Sequence, residues 1–419
     1  MNRVIVIGGG FGGMSATKVL ARYKCEILII DKTNHHLFQP LLYQVAAAAL
    51  SPGDIANPIR SSFRNYENVN VMLGEVTEID RKNKEVVLND NRIRYDFLIV
   101  ATGSIHHYFG KNEWEKYAPG LKTLDDALKI REKILLSLET AEKTHDYGER
   151  ERLLTYIIVG GGPTGVELAG AIAEIVNRDL MKDFRIINSK MTKVYLVEGE
   201  SRVLTAYPES LSQAAKKSLE DLGVEVILDK RVSDINEKGV KVGDQLIKTK
   251  NIIWAAGNQG SPLLKTLDVE LTKAGTIPVN PDLTINNDPD VFVIGDSAFL
   301  TDEKGNILPA IAPTAMQQGR YVAKIIGKNI PQRKRKKFIY NDKGILATIG
   351  KAKAVAVIKG FKLSGLLAWF AWCVIHIFFL ISFRNRFRVM GEWAWHYLTN
   401  KPGIRLIVNP SKQKEGETK

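Results

Sequence analysis

Val4-Ile5-Val6-Ile7 runs into Gly8-Gly9-Gly10-Phe11-Gly12-Gly13, and about 150 residues later Tyr156-Ile157-Ile158-Val159 runs into Gly160-Gly161-Gly162-Pro163-Thr164-Gly165. Each apolar run reads as a buried strand, and each glycine string opens a helical pattern. One GxGxxG is a weak signal. Two of them in the same strand–turn–helix context predict two dinucleotide sites on one chain. The first Gly permits a tight turn, the second lets the backbone approach a pyrophosphate, and the third allows close helix–strand packing. The helix N-terminus then offers unpaired N–H groups and partial positive charge to the anion. A chain that holds two dinucleotides is suited to passing hydride or electrons between them.

Outward from the first motif, a strand over 3–7, a helix from 13 to about 23 and a strand over 26–30 form a βαβ unit. Asp31 ends it, 23 residues after Gly8, near the offset of the acid that hydrogen-bonds a ribose hydroxyl; an acid that merely closes a strand reads alike. Residues 71–103 read as short antiparallel strands, then Phe97-Leu98-Ile99-Val100 running into the small-residue turn Ala101-Thr102-Gly103. The second unit starts near Leu154, with a helix from 165 to about 176 and a polar insertion around 177–190. Its next strand, 193–197, delivers Glu198. An acid there accepts from a 2′-OH and repels a 2′-phosphate, which favours NADH over NADPH; Arg202, close behind, pulls the other way. A helix from 209 leads to a strand over 224–228, and Ile252-Ile253-Trp254-Ala255-Ala256-Gly257 echoes the earlier Ala-Thr-Gly turn. Val291-Phe292-Val293-Ile294 ends in Gly295-Asp296, where an acid suits a flavin's ribityl chain or caps the next helix.

The 419 residues can bury two or three cores. Of the net charge of +13, residues 331–419 hold 18 basic and 4 acidic side chains, so the rest of the chain is close to neutral. The basic balance therefore describes a tail and gives no nucleic-acid signal. Two cysteines, Cys25 and Cys373, without a CxxC, argue against a disulfide framework or a dithiol centre. No metal cluster, nucleophilic triad or paired-carboxylate site is visible, and His35 and His36 read as local hydrogen-bonding residues. Hydride transfer needs stacking and distance, with the cofactor carrying the chemistry. The first strand begins almost at Met1, which points to a cytoplasmic nucleotide site.

The order of two glycine fingerprints, Ala-Thr-Gly, Ala-Ala-Gly and a late Gly-Asp resembles the two-dinucleotide flavoproteins related to glutathione reductase. Three stretches are similar, within that group, to the type II NADH:quinone oxidoreductases, single-subunit respiratory dehydrogenases that do not pump protons. They are Phe38-Gln39-Pro40-Leu41-Leu42-Tyr43-Gln44-Val45-Ala46, which in the family lies along the flavin, Gly160 to Gly170, and Ala312-Pro313-Thr314-Ala315-Met316-Gln317-Gln318-Gly319. The resemblance covers essentially the whole chain. It implies an α/β fold of two Rossmann-type, glutathione-reductase-like domains plus a C-terminal helical membrane-anchoring extension. The FAD domain would comprise 1–115 and 276–330, the NADH domain 116–275, and the anchoring region 331–419.

The same resemblance implies non-covalent FAD at Gly8, Gly10, Phe11, Gly12, Gly13, Asp31, Lys32, Gln39, Thr102, Gly103, Gly295, Asp296 and Ala315. It implies NADH at Gly160, Gly162, Pro163, Thr164, Gly165, Glu167, Glu198, Ala256 and Gly257, and quinone at Ala312, Ala315, Gln317 and Gln318. Glu167, Gln317 and Gln318 are its catalytic candidates. Glu167 would orient nucleotide or move a proton, although an early-helix acid is also favoured by the dipole. One departure is Pro313, where the family often has Gln. Proline offers neither an N–H nor a side-chain amide, which shifts the quinone contact toward Gln317 and Gln318.

The acceptor is read from the tail. Residues 363–383 carry no charge and include Trp369, Phe370, Trp372, Phe378 and Phe379. Arg384, Arg386 and Arg388 follow, then Trp393, Trp395 and Tyr397, with Arg333-Lys334-Arg335-Lys336-Lys337 upstream. Aromatic rings beside Arg and Lys are the composition of a segment at a membrane–water interface facing anionic lipid. A monotopic anchor on the cytoplasmic face of the cell membrane fits best; a spanning helix and a buried dimer or interdomain helix remain alternatives. The function expected is thus NADH to FAD to membrane quinone. The runner-up is a soluble NAD(P)H-dependent reductase of a ferredoxin- or rubredoxin-type acceptor. A sulfide:quinone reductase would need redox cysteines near the flavin, and a non-enzymatic nucleotide sensor would not turn over.

Overall fold

The computed structural model describes residues 1–89, 91–179, 181–399 and 404–407. The chain forms two compact units. The first gathers Met1–Leu37, Ala56–Ile105 and Asn258–Lys343; the second gathers Phe38–Ile55, His106–Gly257 and the chain from Gly344 onward.

In the first unit, strand Asn2–Ile7 lies between Cys25–Asp31 and Phe97–Val100, all parallel. Val69–Leu73 extends one side and Asp288–Val293 the other, both parallel, and Thr284–Ile285 closes the edge antiparallel. Val4, Ile5, Val6 and Ile7 are all buried, the continuous apolar run that a strand covered on both faces requires. Helix Phe11–Leu20 follows the glycine string and packs on helix Ala312–Gly327. The contact is close because Gly319 has no side chain: a Cβ there would sit 2.4 Å from the Gly12 carbonyl oxygen. Two expectations need correction. The first helix starts at Phe11 inside the glycine string and stops at Leu20, and Val69–Leu73 joins the parallel sheet. Only Val76–Asp80, Glu85–Leu88 and Asn91–Arg94 form the antiparallel meander.

The second unit repeats the plan with strands Val224–Ile227, Lys193–Val197, Thr155–Val159 and Asn251–Trp254, parallel in that order. Helix Pro163–Glu174 follows its glycine string. Against it lies a three-stranded antiparallel sheet, Ile345–Gly350, Lys353–Ile358 and Phe361–Ser364. Gly170 makes that docking possible, since a Cβ would stand 1.6 Å from the Ile349 carbonyl oxygen. The expected polar insertion contains short 3-10 turns at Met181–Asp183 and Ser189–Met191, with Leu180 outside the described residues.

The aromatic tail is divided. Phe361–Ser364 is the third strand, Gly365–Phe379 is a helix, and Phe383–Thr399 is a second helix. Among the described residues, no helix is long and apolar enough to cross a membrane. Ala368, Trp372, Val389 and Trp393 turn inward, while Leu366, Leu367, Phe370, Phe378, Phe383, Phe387, Trp395 and Leu398 are exposed. The basic run 333–337 is not uniformly a surface feature. The Arg335 guanidinium is buried against Asp282 at 3.3 Å, donates to the Pro289 carbonyl at 2.7 Å and covers the Phe292 ring.

Candidate functional site

In the first unit, Gly8 carries the chain out of its strand at φ +105°, with its Cα against the Ala101 carbonyl, where a Cβ would come within 2.3 Å. Gly10 caps the helix, and a Cβ there would meet nothing within 4 Å; the turn is an open cradle lined by backbone N–H groups. Gly13 lies under Gly8, and Gly12 rests on Ile294. Asp31 accepts from the Gly9 N–H at 2.5 Å and from the Thr33 N–H at 2.6 Å and Oγ at 2.7 Å. A carboxylate has about four lone-pair sites, so capacity for a ribose hydroxyl remains. His36, buried, bonds the Gly9 carbonyl through Nδ1 at 2.8 Å, and desolvation pushes its pKa down to about 4, so the ring is neutral. It braces the loop, as expected of a local hydrogen-bonding residue. Lys32 is exposed beside Asp31.

The late Gly-Asp and the Ala-Thr-Gly turn meet in one network. Ser104 Oγ donates to Asp296 at 2.7 Å, Thr102 and Ser297 hydroxyls lie 2.9 Å apart, and Ser297 donates to the Gly103 carbonyl at 3.1 Å. Gln318 Oε1, buried, accepts from the Gly295 N–H at 2.7 Å, and Ala315 sits beneath Gly295. Gln317 makes a reciprocal pair with the Asn341 backbone, at 2.9 and 3.0 Å. Ala312 is the first residue of its helix and Pro313 stands in the first turn, where a missing N–H costs nothing. Ser104 and Ser297 were not legible as site residues, because nothing in their local sequence marks them.

In the second unit the geometry recurs. Gly160 adopts φ +113°, Gly162 caps its helix with open space where a Cβ would project, and Gly165 packs on Gly160. Pro163 and Thr164 are exposed on the first turn. Glu198 accepts from the Gly161 N–H and, at 2.9 Å, from the Glu200 N–H, leaving lone pairs for a ribose diol. Arg202 is occupied elsewhere: it donates to Tyr207 O, Ser212 Oγ and Thr205 O at 2.7 to 2.8 Å. Ala256 and Gly257 follow strand Asn251–Trp254, and a Cβ on Gly257 would meet the His107 carbonyl at 2.9 Å. Gln39, placed with the flavin by resemblance, lies in this unit and donates to the Lys122 carbonyl at 3.1 Å.

Glu167, one turn into helix Pro163–Glu174, lines a pocket with Tyr43, Gln44, Glu174, Trp393 and Tyr397. Desolvation pushes its carboxyl up to about 8, against a weak opposing bond from the Thr348 N–H at 3.4 Å. Trp393 Nε1 donates to Gln44 Oε1 at 2.7 Å, and Gln44 Nε2 donates to the Tyr43 hydroxyl at 2.7 Å. The indole thus fixes which way the amide faces, and the Tyr43 hydroxyl oxygen is the acceptor of the amide N–H. Burial raises the Tyr43 hydroxyl well above its ordinary range, so it stays protonated. Of these residues Glu167 was singled out for the site in the sequence, whereas Trp393 and Tyr397 were read as tail aromatics at a membrane interface. For Tyr43 and Gln44, only the Phe38-to-Ala46 motif gave a hint. Two carboxylate-lined nucleotide cradles and a protonated carboxyl in a pocket can bind two dinucleotides and deliver a proton.

The pyridine nucleotide-disulphide oxidoreductase family matches residues 2–319, and the NDH2 C-terminal domain matches residues 343–401. The type II NADH:quinone oxidoreductase NdhA of Mycobacterium tuberculosis is 40% identical over 97% of the chain and 90% of its own length. That of Staphylococcus haemolyticus is 32% identical over 89% and 94% respectively. The structure of NDH2 from Plasmodium falciparum in complex with NADH superimposes with a TM-score of 0.88 at 22% identity, covering 96% of this chain and 99% of that one. The sulfide:quinone oxidoreductase of Aquifex aeolicus superimposes with 0.74 at 16% identity, over 99% and 94%.

Proposed function

The chain belongs to the type II NADH:quinone oxidoreductases, and from that premise we propose a peripheral membrane flavoenzyme that moves hydride from NADH to FAD and electrons on to membrane quinone, without pumping protons. One observation carries this reading: the same open glycine turn and strand-end carboxylate stand once in each unit. FAD is assigned to the first cradle, with 1–115 and 276–330 as its domain, and NADH to the second, with 116–275. Bound there, flavin supplies the two-electron chemistry.

The chain's own residues bind, orient and protonate. The N–H groups of the Gly10 and Gly162 turns face a pyrophosphate, while Asp31 and Glu198 accept ribose hydroxyls. The Asp296 carboxylate, steadied by Ser104, is offered to a polyol chain. Overall, NADH, one proton and quinone give NAD⁺ and quinol, so each turnover draws a proton from the medium. Glu167, which still holds its proton at neutral pH, is the group proposed to give it. The quinone end is proposed at Ala312, Ala315, Gln317 and Gln318. Both glutamine amides hold neighbouring chain in place.

The exposed apolar side chains of the two tail helices support lipid contact through 331–419, at the cytoplasmic face of the membrane. A homodimer through the same rings is the competing use of that surface. The purified protein is expected to release its FAD on acid denaturation, leaving no flavin on the chain. A protein that binds no flavin, or retains it covalently, contradicts the assignment.

A further inference from the structure

We propose that Arg231 lies across the adenosine end of the second cradle, and that Arg231 and Lys230 form a 2′-phosphate site which Glu198 keeps closed. This rests on the assignment of NADH to that cradle. Strands Lys193–Val197 and Val224–Ile227 run parallel in register, Val197 opposite Ile227, so both release their chains at one edge. The two exits are tied together: Glu198 N–H donates to Ile227 O at 2.8 Å, Asp229 N–H to Glu200 O at 3.1 Å, and Lys230 N–H to Glu198 O at 3.3 Å. A dinucleotide with its pyrophosphate at Gly162 and a ribose on Glu198 carries its adenine over this edge.

Arg231 is already laid along it. A Cβ on Gly199 would fall 3.0 Å from Arg231 Cγ and 3.4 Å from its Nε, so the side chain runs flat against the Gly199 backbone because Gly199 has none. A planar, permanently charged guanidinium in that position presents a face to a purine. The charges then decide the specificity. Among the described residues, the exposed Lys230 and Arg231 side chains make no ion pair or hydrogen bond, whereas Glu198 is held in place by two backbone N–H groups. Arg202, which the sequence offered for a 2′-phosphate, is fixed to three other oxygens. Glu200 and Asp229 are exposed on the same edge, but Glu198 is the carboxylate fixed at the ribose position, so rejection of a 2′-phosphate is assigned to it, and the cations beside it favour that anion.

Isothermal titration of the full-length holoenzyme with ADP-ribose and 2′-phospho-ADP-ribose tests this without turnover. Arg231→Ala is expected to weaken ADP-ribose by about tenfold. Glu198→Gln is expected to tighten 2′-phospho-ADP-ribose by about tenfold or more, and the double variant to lose that gain. Arg231→Lys in the Glu198→Gln background should keep much of the gain, because the charge remains. Unchanged ADP-ribose affinity in Arg231→Ala, or a gain that survives in the double variant, overturns the proposal. If the parent binds neither probe, the nucleotide assignment fails and the proposal with it.

Discussion

A carboxyl raised to about 8 is still protonated at neutral pH, and for Glu167 the cause is the pocket wall. Turnover with quinone is therefore expected to fall as pH rises through about 8, where the proton is lost. Glu167→Gln should lower kcat and remove that limb, and pH–rate profiles of the two proteins check it; the same limb in the variant would assign the titration elsewhere. Stability follows the same proton. The folded value lies above the ordinary 4.5, so the folded state binds the proton more tightly, and stability falls as pH rises between about 4.5 and 8. The Gln variant has no such loss, so urea unfolding at pH 6 and pH 9 should show its advantage growing at the higher pH. At this scale the sequence was uneven. Asp31 and Glu198 were legible because strand period and offset place them at strand ends. The setting of Glu167 was not, because Tyr43, Thr348 and Trp393 reach it from far along the chain.

The two tail helices show what hydropathy can and cannot reveal. The 363–383 stretch is apolar as read, yet Phe361–Ser364 is taken by a sheet, and the chain turns between Phe379 and Phe383, which leaves a helix of 15 residues. Inward residues such as Trp372 and Trp393 belong to the core of the second unit, so deleting the tail would also remove the partner of Gln44. A cleaner test replaces the exposed Phe370, Phe378 and Phe387 with Glu. The variant should no longer sediment with anionic phospholipid vesicles while keeping NADH–ferricyanide activity; retention on vesicles would contradict the membrane role of this face. Gly170 makes a second element-scale prediction. With the Ile349 carbonyl where a methyl would project, Gly170→Ala should lower unfolding stability by about 3 kcal/mol, measured by urea titration. The helix containing Gly170 was legible from the sequence. The sheet against it was not, because its strands lie more than 170 residues away.

At the scale of the molecule, duplication is the organising fact. Each unit builds a parallel sheet, an open glycine turn and a strand-end acid, and the glycine motifs made that much readable from the start. The proposed function at this scale pairs a nicotinamide donor with a flavin relay and adds an acceptor, and the sequence spoke to the acceptor mainly through its tail. The ferredoxin- or rubredoxin-type alternative shares the cradles but gives the exposed aromatic helices no role. The most direct measurement follows NADH oxidation and quinol formation together, anaerobically, with the holoenzyme on anionic liposomes containing quinone. The account predicts one quinol formed per NADH consumed and negligible oxidation when quinone is left out. NADH oxidation that proceeds without quinone, or that is supported by a ferredoxin-type protein but not by quinone, would contradict it.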